Sequence, residues 1–436
     1  MRNGIRTVLL LLGDIIMLFG AFLIMLRLAF PESLSREVID SHLLPFLIVF
    51  VIWLFVFFLF NLYETELIKP TIPNLKMIGL ASMIAIAAST ILFYIIPSFS
   101  IQPKTNLAIF SVVFVLIFIT WRRIFYNIFA RYFQKNIAFI IDQNKDSRSV
   151  GEIKNYIATY PQSGFYVLGT YSSLHEFMNK KDTTPVDTLI VSKNSLEGTK
   201  NLTSIYNNVK NILDLTYAYE NILGKIPVDS IDEIWFLHNV ESTSSTSHDT
   251  VTYLLDKLVA FVVLIITFPI LVIVALLIGV GDRGPIFYTQ NRVGKGGKIF
   301  KLYKFRSMVV QSELNGAVWA GKNDNRITSI GKIIRKLHID EIPQMINILK
   351  GELALVGPRP ERPEFVHQLE NTIPHYPLRH IIRPGFTGWA QIKYRYANTI
   401  EDSKEKFEYD LYYIKNRNIF MDLGIILRTI QIIFTH

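Results

Sequence analysis

Apolar residues gather into four long stretches in the first third of the chain, at residues 8–30, 43–60, 77–96 and 107–121. Each approaches the roughly 20 residues that a bilayer-spanning helix needs. Their uninterrupted apolar character leaves no polar face for a soluble core, so they predict a bundle of four membrane helices over residues 1–135. After Asn136 the pattern changes to short apolar runs at residues 137–141, 166–168, 188–191 and 234–237, separated by polar, helix-like segments. That alternation predicts a small α/β domain over residues 136–241. The polar run STSSTS at residues 242–247 reads as the start of a flexible linker reaching residue 256. A fifth apolar stretch follows at residues 258–280 with Pro269 at its centre, and predicts a membrane helix over 257–281 that the proline either kinks or breaks. Residues 282–436 then form the last domain. Its final segment, residues 419–434, sets Ile, Leu and Phe broadly on one side, a pattern that fits either an interfacial amphipathic helix or packing on the domain itself.

Loop charges orient the bundle. Arg2 and Arg6 precede the first helix, Lys69 and Lys76 lie between the second and third, and Arg122, Arg123, Arg131 and Lys135 follow the fourth. The positive-inside rule then places both ends of the bundle in the cytoplasm. Exporting the basic C-terminal domain through the fifth stretch would conflict with Arg283, Arg292, Lys295 and Lys298, so a re-entrant helix that keeps both flanks on one side fits better.

Composition adds two exclusions. The 436 residues contain no cysteine, which rules out disulfides, zinc-thiolate sites and cysteine nucleophiles. The first strand of the α/β domain runs into Asp142-Gln143-Asn144-Lys145, with no glycine to admit a dinucleotide pyrophosphate. Tyr206 and Lys210 have the spacing of a dehydrogenase pair, but without a glycine motif that spacing is chance. A formal charge of +9 suits anionic lipid, an anionic substrate or nucleic acid alike.

The densest chemistry runs from Arg335 to Pro360. Asp340 and Glu341 precede Pro343 and an apolar period at Met345, Ile346, Ile348 and Leu349, so Asp340 is a candidate N-cap of a helix. Arg335, Lys336, His338, Arg359, Arg362, Arg379 and Arg383 lie within about fifty residues, and Pro358 and Pro360 bracket Arg359. Arginines held this way suit phosphate oxygens. Carboxylates among fixed cations stay ionised, as a nucleophile or a metal ligand must. Gly294 to Lys298 lacks the Ser or Thr of a phosphate loop and reads as a turn between two strands. Lys295, Lys298 and Lys304 add positive field there, and Arg306 in KFRSM is a candidate for direct contact.

Three ordered stretches, FYTQNRVGKGGKIFKLYKFRSM (287–308), DNRITSIGKIIRKLHIDEIPQMINILKGELALVGPRP (324–360) and IIRPGFTGWAQIKYRY (381–396), resemble the bacterial sugar transferases, also called polyprenyl-phosphate hexose-1-phosphate transferases or monotopic phosphoglycosyl transferases. The resemblance covers roughly the last 190 residues. It implies a mixed α/β catalytic domain with a re-entrant membrane helix, behind a Rossmann-like domain that regulates or interacts. It also implies transfer of hexose-1-phosphate from a UDP-hexose, glucose or galactose, to undecaprenyl phosphate at the cytoplasmic face of the inner membrane, starting a capsular or exopolysaccharide. Asp340 would be the nucleophile, Glu341 the Mg²⁺ ligand, and Arg335, Arg359 and Lys304 phosphate-binding residues; Arg306, Arg383 and Gln391 complete the expected substrate contacts. Membrane lipid is an expected partner, nucleic acid is not, and a homo-oligomer is left open. Two departures stand out: Glu352-Leu353-Ala354 where the family has an acidic-Met-Ser step, and Phe268-Pro269 where it has Ser-Pro. A membrane-tethered nucleotide-sugar epimerase or dehydratase, and a non-catalytic assembly scaffold, are the alternatives.

Overall fold

The computed structural model describes residues 2–31, 35–60, 62–63, 72–95, 103–132, 135–179, 184–196, 209–231, 246–282, 284–309, 326–394 and 399–435. The chain divides into two compact units, Met1–Leu223 and Gly224–His436.

The first unit opens with α1 (Arg2–Ala29), α2 (Arg36–Leu59), α3 (Ile72–Ile95) and α4 (Pro103–Tyr132). All four predicted helices are present, and α4 outruns its apolar stretch at both ends. Their shared core is aromatic: Trp53, Phe57, Phe110, Phe114 and Phe118 are almost wholly buried, with Trp53 edge-on to Phe114 at 4.9 Å between centroids. Edge-to-face rings gain beyond the area they bury. Two pairs of polar residues tie the helices together inside this core. Arg122 on α4 donates to the Asp14 carboxylate of α1 at 2.7 Å and to the Leu62 carbonyl at 2.6 Å. Asn106 on α4 meets His42 on α2 at 3.1 Å.

The rest of the unit is a four-stranded parallel sheet in the order β2-β1-β3-β4. Its strands are β1 (Lys135–Ile140), β2 (Phe165–Tyr171), β3 (Val186–Val191) and β4 (Val209–Asp214), with helices α5 (Gln143–Thr159), α6 (Leu174–Met178), α7 (Lys193–Leu196) and α8 (Leu215–Leu223) between or after them. Strand β4 was not foreseen. It is an edge strand whose Lys210 and Asn211 are exposed, so the apolar alternation is faint. Lys210 pairs with Asp187 of β3 at 2.9 Å, a structural partner, while Tyr206 and the predicted strand at 234–237 lie outside the described residues. At the carboxyl end of β1, where the strand order reverses, the Asp142 amide donates to the buried Asp146 carboxylate and the Ser195 hydroxyl donates to the Ile140 carbonyl. A carboxylate in that crevice opposes a dinucleotide's phosphates.

The second unit is built on α9 (Thr246–Asp282), a 37-residue helix. Three expectations change here. Residues 246–256 are helical and not linker, tied down by Asp249 to Arg417 at 2.6 Å and Asp256 to Arg383 at 3.2 Å. Residues 224–231 belong with this unit as well, since Ile226, Val228 and Ile231 join the cluster of Tyr376, Phe407 and Leu411. The break expected at Pro269 is absent: α9 continues through it, and the Thr267 hydroxyl gives the Val263 carbonyl a further donor at 2.7 Å.

One face of α9 packs along its length. Ala260, Val263 and Leu264 meet Phe300, Leu302, Met345, Ile348 and Leu353, while Leu271, Val274, Ala275 and Ile278 meet Phe305, Ile330, Ile334 and Ile339. The other face leaves Phe261, Ile265, Ile266, Phe268, Ile273 and Leu276 more than half exposed. Against this helix lie the antiparallel hairpin β5 (Phe287–Val293) and β6 (Ile299–Phe305), α10 (Ser329–Lys336), a 3-10 turn (Ile339–Gln344) and α11 (Met345–Lys350). The predicted turn at Gly294 to Lys298 closes the hairpin. The unit continues through β7 (Ala354–Val356), α12 (Pro363–Thr372), a second 3-10 turn (Tyr376–His380), β8 (Gly385–Thr387) parallel to β7, α13 (Trp389–Lys393), α14 (Ile400–Asn416) and α15 (Ile419–Thr435). Helix α15 packs Met421, Ile425 and Ile426 on the domain and exposes Ile419, Phe420 and Leu423, so its two apolar edges serve different surroundings.

Candidate active site

Asp340 and Glu341 sit in a 3-10 turn and not at a helix N-cap. His338, at φ 54°, turns the chain out of α10 through the left-handed region, and the α-helix proper begins only at Met345. A non-glycine residue in that region costs about 1 kcal/mol or more and persists where the surroundings enforce it. Asn347 is one such anchor. Fully buried, it accepts the Tyr303 amide at 3.1 Å and donates to the Lys301 carbonyl and the Glu352 carboxylate, each at 2.7 Å, riveting α11 to β6. Glu352 thereby keeps the acidic part of its motif in use, and the two departures beside it, Leu353 and Ala354, are buried.

A cavity of about 580 Å³ opens over this turn. Six of the expected site residues line it: Lys304, Arg306, Arg335, Asp340, Glu341 and Arg359. Asp340 is 8% exposed. Burial, and then the charge of Glu341, raise its carboxyl above the usual range, while Lys304, Arg335 and His338 pull it back. Burial also works against ionisation of Glu341, but Lys304 and Arg359 outweigh it and hold that carboxyl well below the usual range. Both cations reach the same oxygen: Lys304 Nζ and Arg359 Nη2 each donate to Glu341 Oε1 at 2.8 Å. The adjacent carboxylates are thus set apart, one fixed as an anion by two cations, the other poised in a drier position.

The loop that carries Arg359 is held by its backbone. Gly357 donates to Thr387 at 2.9 Å, Gly385 donates to the Pro358 carbonyl at 2.8 Å, and Val293 donates to the Glu361 carbonyl at 2.9 Å. Gly357 and Gly385 have no room for a side chain, since a Cβ on Gly385 would stand 2.0 Å from the Gly357 nitrogen.

Two expected contacts lie elsewhere. Arg383 is engaged by Asp256 and stacks over Tyr253 at 4.9 Å, lining a second cavity with Arg417 and Asp422, because its side chain leaves the loop on the α9 side. Gln391 is absent from the lining of the Asp340 cavity; its amide donates to the Phe386 carbonyl within the turn after β8. Arg379 is buried and also does not line it. Sequence reasoning passed over Tyr288, Arg326, Glu361 and Lys406, which do. Burial pushes the Lys406 ammonium below the usual lysine range, against the pull of Glu361. Nothing in the KEKFEYD segment marks Lys406, whereas Glu361 directly follows the Pro-Arg-Pro run.

The sequence pattern of the family described as bacterial sugar transferase matches residues 247–436. The chain is 47% identical over 181 residues to a UDP-N-acetylgalactosamine-undecaprenyl-phosphate N-acetylgalactosaminephosphotransferase of Aeromonas hydrophila, covering 42% of this chain and 43% of that protein. It is 40% identical over 177 residues to a UDP-glucose:undecaprenyl-phosphate glucose-1-phosphate transferase of Klebsiella pneumoniae, covering 40% and 38%. An exopolysaccharide production protein of Rhizobium leguminosarum bv. phaseoli is 39% identical over 179 residues, 38% of this chain and 86% of the relative. The chain therefore spans less than half of the first two relatives and most of the third.

Proposed function

The chain belongs to the bacterial sugar transferase family, and on that premise we propose that it transfers a sugar-1-phosphate from a UDP-sugar to undecaprenyl phosphate, releasing UMP, in the assembly of a capsular or exopolysaccharide. The observation that carries this reading is the pairing of a buried, protonation-prone Asp340 with a Glu341 held ionised by Lys304 and Arg359 over one open cavity.

An Asp340 oxygen attacks the sugar-bearing phosphorus; the bond from that phosphorus to the bridging oxygen breaks, and UMP leaves with the electron pair. A phosphate oxygen of the lipid then attacks the same phosphorus and releases the Asp340 carboxylate. Splitting the transfer this way spares two anionic phosphates a direct approach. Arg359, Lys304, Arg335 and Arg306 bind and orient phosphate oxygens, while Glu341 keeps Arg359 and Lys304 in place. Lys304 and Arg359 both bond Oε1 of Glu341, and its Oε2 outside those bonds fits Mg²⁺, which commonly takes one or two protein carboxylates and completes its shell with substrate phosphates and water. Glu341 would hold it, and the ion would neutralise diphosphate charge.

Helix α9 supports a reading of membrane placement. Its first turns are bound to Arg417 and its last pack on Ile330, both in the same unit, which favours a helix lying along the cytoplasmic face of the inner membrane with its exposed side in lipid, without crossing it. The parallel sheet of the first unit reads as a Rossmann-like module without a nucleotide motif in its sequence.

The test omits lipid. Labelled UDP-N-acetylgalactosamine, UDP-glucose or UDP-galactose with Mg²⁺ should yield up to one UMP per protein and an adduct on Asp340 heavier by one sugar phosphate, absent in Asp340→Asn. UMP that appears only with undecaprenyl phosphate, and no adduct, would exclude the covalent route.

A further inference from the structure

We infer that Arg379 and Asp410 are positioning residues for the active site, acting through the backbone of Arg359. Arg379 lies in the second 3-10 turn and is 7% exposed; Asp410 on α14 is 2% exposed. Arg379 Nη2 donates to Asp410 Oδ2 at 2.9 Å and to the Arg359 carbonyl at 3.0 Å, and Nη1 donates to the Tyr376 hydroxyl. Both terminal nitrogens are thus engaged inside the domain, and neither Arg379 nor Asp410 lines the cavity. What this guanidinium reaches is the backbone of Arg359, which with Lys304 holds Glu341.

The neighbouring peptide unit is gripped likewise. Arg292 Nη1 donates to the Pro360 carbonyl at 2.9 Å, from strand β5 on another side of the loop. Two successive carbonyls, one bound to the buried Arg379 and the other to the half-buried Arg292, leave Arg359 little backbone freedom. A planar fork with fixed donors can bridge a carboxylate and a carbonyl at once, which an ammonium does not do with the same geometry. Phosphate-binding groups need placement to within a fraction of an ångström, and support of this kind supplies it.

This inference rests on the transferase reading for its choice of ligand, so its test compares two variants of the full chain against the parent. Asp410→Asn removes the charge that anchors Arg379. Glu408→Gln removes an equally buried carboxylate two residues away on the same helix, paired with Lys225 and remote from the loop. Binding of UDP with Mg²⁺ is measured by calorimetry on folded protein, with kcat and KM for the UDP-sugar alongside. Asp410→Asn should weaken UDP by about 10–100-fold, the usual cost of losing an outer support, and Glu408→Gln should stay within about twofold of the parent. A role in stability alone would move both variants together in melting temperature and neither in affinity, and that result overturns the inference. If Asp410→Asn does not fold, Arg379→Lys takes its place with the same expected loss, and parent-like affinity there is equally decisive. A parent that binds UDP but releases no UMP from any UDP-sugar refutes the transferase reading while leaving the comparison of variants intact; a parent that binds no UDP refutes both.

Discussion

The membrane bundle and the catalytic unit each place an arginine against a carboxylate, and they use the pair for opposite ends. In the bundle, Asp14 and Arg122 are 0% and 3% exposed, the guanidinium is shared with the Leu62 carbonyl, and the rings of Phe118 and Tyr63 cover it at 4.6 and 5.2 Å. In the catalytic unit, Arg359 is 39% exposed and spends one nitrogen on Glu341, with the rest of its fork on the cavity. An arginine sealed by carbonyl and rings can only hold helices together. The same group with open volume before it can hold a substrate, and only the surrounding packing separates the two roles.

The widest separation should come from neutralising each carboxylate. Glu341→Gln should cut UMP release about 100-fold or more, because Lys304 and Arg359 lose their shared anchor, with little change in melting temperature. Asp14→Asn should cost about 3–5 kcal/mol by leaving a buried guanidinium uncompensated, while the protein that remains folded turns over normally. A loss of kcat in folded Asp14→Asn would erase the contrast.

Removing the first unit is the next test. A chain starting at Gly224 should keep the turnover of the full protein to within a few-fold. One starting at Thr250 discards Ile226, Val228 and Ile231 together with the Asp249–Arg417 tie, and each lost aliphatic side chain costs about 1.5–3 kcal/mol. Equal stability of the two truncations would return residues 224–231 to the first unit.

The smallest effect is in pH. In the proposed reaction attack needs Asp340 ionised, and burial and Glu341 both favour its protonated form, so kcat/KM should fall about tenfold per unit below a midpoint above 3.8. Glu341, held far lower, stays charged across that limb. A midpoint at or below 3.8 would mean that Asp340 is better solvated than its position implies.

The bundle was legible from sequence because twenty uninterrupted apolar residues admit few other structures, and the hairpin because its glycines and alternation agree. Strand β4 was not, since an edge exposes the residues that would have marked it. Arg359 and Arg383 each precede a proline in a basic segment, yet one meets Glu341 and the other Asp256, and that choice is made by elements far away in the chain. The same holds for Arg379, whose partner Asp410 lies 31 residues on. Local patterns identified which residues could do chemistry; packing decided which of them face the cavity.

The residues on either side of the acidic pair carry one more consequence. Ile339 joins the cluster around Val274 and Ile278, and Ile342 joins the cluster around Ala260, so the pair is bolted at both shoulders to a beam whose far side is bare hydrocarbon. Under the proposed function the reaction plane is surveyed from the bilayer itself: as that beam settles to its depth in the lipid, the height of Asp340 above the headgroups settles with it, and a lipid-borne phosphate would meet the protein at that level.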